Sequence, residues 1–142
     1  MNHQLLEKKT LVILLNRNTA KFYEFYKGRI TEKASVCHEV PQEVKKAGWY
    51  GLRDGKIHRH IQDHLRAHFK KVNQIALKFL YKYKQIILAS EPENISFFEP
   101  LMHNYLKKRL VAKIPVNLLN QPKLVIINKI CAVLENTSRK AA

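Results

Sequence analysis

Leu11-Val12-Ile13-Leu14-Leu15 is an unbroken apolar run that follows Thr10 and stops at Asn16-Arg17-Asn18-Thr19. A run of that length between turn residues predicts a short strand buried on both faces. Lys21 to Tyr26 gives a second strand rich in rings (Phe22, Tyr23, Phe25, Tyr26). Lys27-Gly28 is a tight turn, and Arg29 to Val40 alternates roughly as a third strand that Pro41 ends. The period then changes. Ile57, Ile61, Leu65, Phe69, Val72, Ala76, Phe79 and Leu80 recur at spacings of three and four, the mark of a long amphipathic helix. Gln85 to Ala89 reads as a short buried strand, and Asn94 as the cap of a helix running through Leu106. Pro100 falls inside that helix and predicts a kink or break. Leu110 to Val116 reads as a fifth strand, with Pro115 placing its end near a sheet edge. Pro122 opens a last helix whose apolar face is Leu124, Ile127, Ile130, Val133 and Leu134, and the polar residues 136–142 predict a frayed tail.

The order β-β-β-α-β-α-β-α, with no repeat and no linker, predicts an α/β fold in one domain over residues 1–142. An antiparallel meander followed by helix–strand alternation implies a mixed sheet covered by helices, the ribonuclease H-like arrangement. On such a sheet both faces are covered, so the rings of the second strand are expected in the core. A basic protein–protein adaptor would instead present them as an interface.

Charge narrows the partners. Lys and Arg number 26 against 11 Asp and Glu, a formal net charge of +15, which suits a polyanion and not an acidic substrate. The two cysteines, Cys37 and Cys131, are far apart, lack metal-ligand spacing and sit in apolar patterns, which predicts reduced, buried thiols. No segment approaches the roughly 18 apolar residues of a membrane span, and a soluble cytoplasmic protein is expected.

Conventional enzyme chemistry finds little footing. A two-metal nuclease needs clustered carboxylates, normally including one on the first strand. Here that strand has none, and Asp54, Asp63, Glu91 and Glu93 belong to other segments. His60, His64 and His68 follow one side of the long helix, but the first and third are about 12 Å apart along its axis. No acid or Cys completes the set, so no metal is expected, and boundary histidines with one wet nitrogen are. The serines lack the nucleophile-elbow pattern, and the glycines match neither phosphate-binding loop. No cofactor is expected.

One segment stands apart. Lys45-Lys46-Ala47-Gly48-Trp49-Tyr50-Gly51-Leu52-Arg53-Asp54-Gly55-Lys56 holds the only Trp and three of the four glycines. With Arg59, Arg66, Lys70 and Lys71 it forms a basic run, and its rings stand beside glycines that let backbone approach a ligand closely. Cations interleaved with aromatics suit RNA, where phosphates take the charge and bases stack on the rings.

At this segment the chain resembles the middle domain of archaeal and eukaryotic class-I peptide-chain release factors, of Pelota-type rescue factors, and of bacterial and archaeal release-factor-like proteins. Four stretches carry the likeness in order: Leu11 to Gly28, Lys45 to Lys56, Arg59 to Leu65, and Ile86 to Asn94 with Phe97 and Phe98. In that family a Gly-Gly-Gln loop followed by Leu-Arg enters the ribosomal peptidyl-transferase centre. Setting Leu52-Arg53 on that pair places Ala47 and Gly48 on the glycines and Trp49 on the glutamine. An indole donates one hydrogen bond and has no amide oxygen, so it does not reproduce the glutamine.

The resemblance therefore implies a partner in the ribosome or structured RNA (tRNA or rRNA), in translation termination, rescue or ribosome quality control. Lys45, Lys46, Tyr50, Arg53, Lys56, Arg59, Arg66 and Lys70 are its RNA-binding candidates. Peptidyl-tRNA ester hydrolysis without the standard glutamine stays open as an alternative, with catalytic residues unassigned. A protein partner supplying the family's missing codon-reading and partner-binding domains is also implied.

Overall fold

The computed structural model describes residues 8–37 and 54–141, with side chains described over 8–37 and 62–136. Five strands form one sheet in the order β3-β2-β1-β4-β5. They are β1 (Thr10–Leu15), β2 (Thr19–Tyr26), β3 (Arg29–Cys37), β4 (Gln85–Ala89) and β5 (Leu110–Ile114). β1 pairs antiparallel with β2 and parallel with β4, so the meander and the helix–strand half share their most buried strand. This is the mixed α/β sheet expected, with its helices packed on the sheet.

Every side chain of β1 is buried, and alternate residues feed two separate cores. Leu11, Ile13 and Leu15 meet Phe22, Ile86 and Leu88 beneath α1 (Asp54–Lys78), α2 (Pro92–Phe98) and α3 (Asn104–Arg109). Val12 and Leu14 meet Tyr23, Phe25, Ile30 and Ile87 beneath α4 (Lys123–Ala141). A continuous apolar run is thus what a strand with two covered faces requires. The same geometry takes Phe22, Tyr23 and Phe25 into the core, leaving the adaptor reading without its surface.

The Lys27-Gly28 turn has positive φ at both residues, 52° and 78°, the backbone twist that a two-residue hairpin favours. On α1 the predicted stripe holds, with Leu65, Phe69, Val72 and Ala76 buried. Pro100 breaks the following helix as expected: α2 gives way to a 3-10 turn at Glu99–Leu101 before α3 begins. Asn73 of α1 spans that break. Its amide donates to the Leu101 carbonyl (3.1 Å), and its oxygen accepts from the His103 backbone N–H (3.1 Å).

Several local expectations are corrected. α2 starts at Pro92 with Glu91 as its cap, because proline's fixed φ suits the first helical position; Asn94 lies inside the helix, buried. On α4 the buried face is Ile126, Ile130 and Leu134, and Leu124, in the first turn, is exposed. β3 ends at Cys37, whose thiol is exposed because this edge strand is only thinly covered; residues 38–40 lie outside those described. Cys131 is half-buried, and burial followed by the Glu135 charge raises its thiol pKa. The helix α4 continues through the polar stretch to Ala141.

Candidate RNA-facing site

Parallel pairing puts the ends of β1 and β4 together, and β2 begins there as well, opposite Cys37 of β3. α1 starts from this same end and runs back over the sheet. The end of β3 at Cys37 and the start of α1 at Asp54, the described residues on either side of 38–53, thus lie at one pole of the sheet. Ala47, Gly48, Trp49, Lys45, Lys46, Tyr50 and Arg53 lie outside the described residues. Lys56 and Arg59 lie on the first turns of α1, where the side chains are not described.

Arg66 and Lys70 are exposed on α1, four residues apart, and Arg66 lies 3.8 Å from Asp63 across one helical turn. Both side chains of that pair are solvated, so the contact leaves the guanidinium available to a stronger anionic partner.

A cleft of about 250 Å³ opens at this pole, lined by Arg17, Gln62, Leu65, Glu93, Asn94 and Phe97. Each wall has a local cause. Arg17 is carried on a turn fixed by Asn16, whose Oδ1 accepts from the backbone N–H groups of Asn18 (3.0 Å) and Thr19 (2.7 Å). Ser90 ties the rear wall together by donating to the Leu15 carbonyl at 2.6 Å, which clasps the ends of β1 and β4. Phe97 packs on Phe69 at 5.6 Å between centroids and keeps its outer side at the cleft. The result is an apolar floor with an amide pair, one cation and one carboxylate around it. That set suits a polar, planar group better than a metal ion.

Among the described residues no three His, Cys, Asp or Glu side chains gather closely enough to hold a metal ion. His68, and not His64, departs from the expected boundary row. His68 is 1% exposed, with its ring 5.6 Å from Phe69, and His64 is half-buried with its Nε2 shielded from solvent. Spacing explains this: Leu65, His68 and Val72 follow three- and four-residue steps, so His68 is within the apolar stripe itself. The side chain of His60 is not described.

The family model that matches residues 6–137 is that of bacterial archaeo-eukaryotic release factor family 10. The chain belongs to that family. No curated protein sequence matches it. Among solved structures, the family 10 chain is similar to the archaeal translation termination factor aRF1, at 19% identity and a TM-score of 0.57. That match covers 74% of this chain and 29% of the other. It is also similar to Archaeoglobus fulgidus Pelota, at 9% identity and a TM-score of 0.50, over 95% of this chain and 35% of that one. The chain thus spans about a third of each solved relative's length, and the likeness at these identities is one of fold. Among the described residues no helix is long and apolar enough to cross a membrane.

The cleft joins these findings to the sequence. Its walls come from three of the four stretches that carry the release-factor resemblance, and the fourth lies largely outside the described residues. The RNA-binding candidates Arg66 and Lys70 are exposed on α1 and are not among the residues that line the cleft, whereas Arg17, Asn94 and Phe97 line it without having been candidates. The available signal was that all three lie within family-like stretches that are otherwise core.

Proposed function

We propose that this family 10 chain is a cytoplasmic, ribosome- or RNA-associated release-factor-like protein, acting in translation termination, rescue or ribosome quality control. The observation that carries the proposal is convergence: stretches resembling release factors, distant in sequence, meet at one pole of the sheet. In this reading residues 45–56 enter an RNA site, and the described ends on either side of residues 38–53, Cys37 of β3 and the start of α1, lie at that pole.

In this reading Gly48 allows close backbone approach, and Trp49 and Tyr50 stack on bases. Lys45, Lys46, Arg53, Lys56, Arg59, Arg66 and Lys70 neutralise phosphates. Trp49 in place of an amide favours binding over hydrolysis, because an indole does not accept a hydrogen bond from an attacking water.

Ribosome co-sedimentation across a salt series tests the proposal, with wild type set against Arg53→Ala and Trp49→Ala. Expected are association that weakens steadily with salt, and weaker association in both variants. Absence of association at low salt, or association that salt does not change, contradicts it.

A further inference from the structure

The opposite pole of the sheet, where β1, β4 and β5 begin, is lined by cations from segments that no motif connects. Register brings them together. Thr10 of β1 lies opposite both Phe25 of β2 and Gln85 of β4, and Ile86 of β4 lies beside Leu110 of β5. Tyr26 of β2 in turn pairs with Arg29 of β3, so Arg29 and the turn residue Lys27, Lys9 and Lys84 just before β1 and β4, and Lys108 in the last turn of α3 before β5 follow one another in strand order across the sheet's end. All five are exposed, and the segments that present them (8–9, 27–29, 84 and 107–108) hold no acid. At the usual strand spacing the row extends about 19 Å.

Aromatic groups stand among the cations. Lys9 and Lys27 sit on the Tyr26 ring, with their Nζ atoms 5.7 and 5.2 Å from its centroid. Tyr81, in the turn leading to Lys84, is 88% exposed, the most exposed of the large hydrophobic side chains described. The acid closest in register, Glu24, is already engaged: it accepts from the Tyr83 hydroxyl at 2.9 Å and lies 3.9 Å from Lys82. The turn itself is held in place, since Arg109 donates to the carbonyls of Leu80 and of Tyr83.

We infer that this pole is a second RNA-contacting surface, binding the phosphate backbone along the lysine row and stacking a base on Tyr81. A compact anion would meet one or two of these cations at a time, whereas an extended polyanion meets the whole row. A membrane surface fits less well, because anchoring there calls for a contiguous apolar face that this row lacks. The inference rests on the RNA-associated reading above but on residues which that reading does not use.

The test is binding of a labelled single-stranded oligouridylate to the full chain over a salt series. The triple variant Lys9→Gln/Lys27→Gln/Lys84→Gln is set against an equal charge change elsewhere, Lys33→Gln/Lys123→Gln/Lys129→Gln. Loss of three phosphate contacts is expected to weaken binding about 100-fold at about 0.1 M salt and to make the log–log salt slope shallower by about 2. Tyr81→Ala is expected to cost about 5- to 100-fold with the slope unchanged. Circular dichroism melts of both triple variants matching wild type establish that the fold is intact. Equal losses in the two triple variants would mean that net charge alone acts, and overturn the inference. A loss confined to Arg53→Ala would overturn it too, while leaving the proposed function standing. Binding to phosphatidylserine vesicles with none to RNA would assign the surface to a membrane and overturn both.

Discussion

Where β1 and β4 finish, an arginine and a carboxylate both line a cleft with an apolar floor. Where the same strands begin, every strand start or adjoining turn described presents a cation and none presents an acid. Both ends belong to one rigid sheet, so the contrast is not one of fold or stability. It lies in what the exposed termini of the strands are free to carry once the two cores are filled. A cleft with mixed charge selects a particular group, whereas a uniform row holds a polymer without selecting its sequence. The mixed end is also the one that the family resemblance marks.

The largest expected effect strikes both ends together. Phe69 is fully buried and touches Phe97 and Phe98 of α2. Phe69→Ala should cost about 3–5 kcal/mol in urea unfolding, and RNA binding at both ends should fall in parallel. If the cationic end kept its affinity in a destabilised protein, the two ends would not share one frame.

Next come the two buried clasps, one per end. Ser90 donates to Leu15 at the mixed end, and Gln85 donates to the Thr10 hydroxyl at 2.7 Å at the cationic end. Ser90→Ala and Thr10→Val should each cost about 1–2 kcal/mol by denaturant midpoint. A clearly unequal pair would show that one end is held more rigidly than the other. The Tyr83–Glu24 hydrogen bond adds to the cationic end. Burial, and then the Glu24 carboxylate, keep the Tyr83 phenol neutral well above its usual range.

The smallest effect sharpens the electrostatic contrast. Glu93 is exposed at the rim of the cleft. Glu93→Gln should tighten RNA binding by about 2- to 5-fold at low salt with negligible change in melting temperature, since one exposed charge is worth about a kilocalorie per mole or less in water. Among the described residues the segments of the cationic row offer no comparable acid to remove.

Much of this molecule was legible in its residues. The unbroken run of β1 announced a strand with two covered faces, the three- and four-residue steps of α1 announced its buried stripe, and Pro100 announced the break that Asn73 spans. The candidate pole was legible only through resemblance, since Arg17, Asn94 and Phe97 carry no local signal of a cleft. Burial of His68 was readable from its place between Leu65 and Val72, but a titratable ring invites a boundary reading. Exposure of Cys37 was not readable, because alternation along β3 does not reveal that the strand is an edge. The cationic row was least legible of all. Its members are scattered from Lys9 to Lys108, and only the pairing register makes them neighbours.

Lysine-reactivity footprinting by mass spectrometry, on the chain alone and bound to ribosomes, examines both ends at once. The account predicts strong protection of Lys45, Lys46 and Lys56 in the glycine-rich segment and of Lys9, Lys27 and Lys84 at the cationic end. Lys33 and Lys129, on surfaces away from both, should stay reactive. Uniform reactivity in the two states, or protection confined to Lys33 and Lys129, would contradict it.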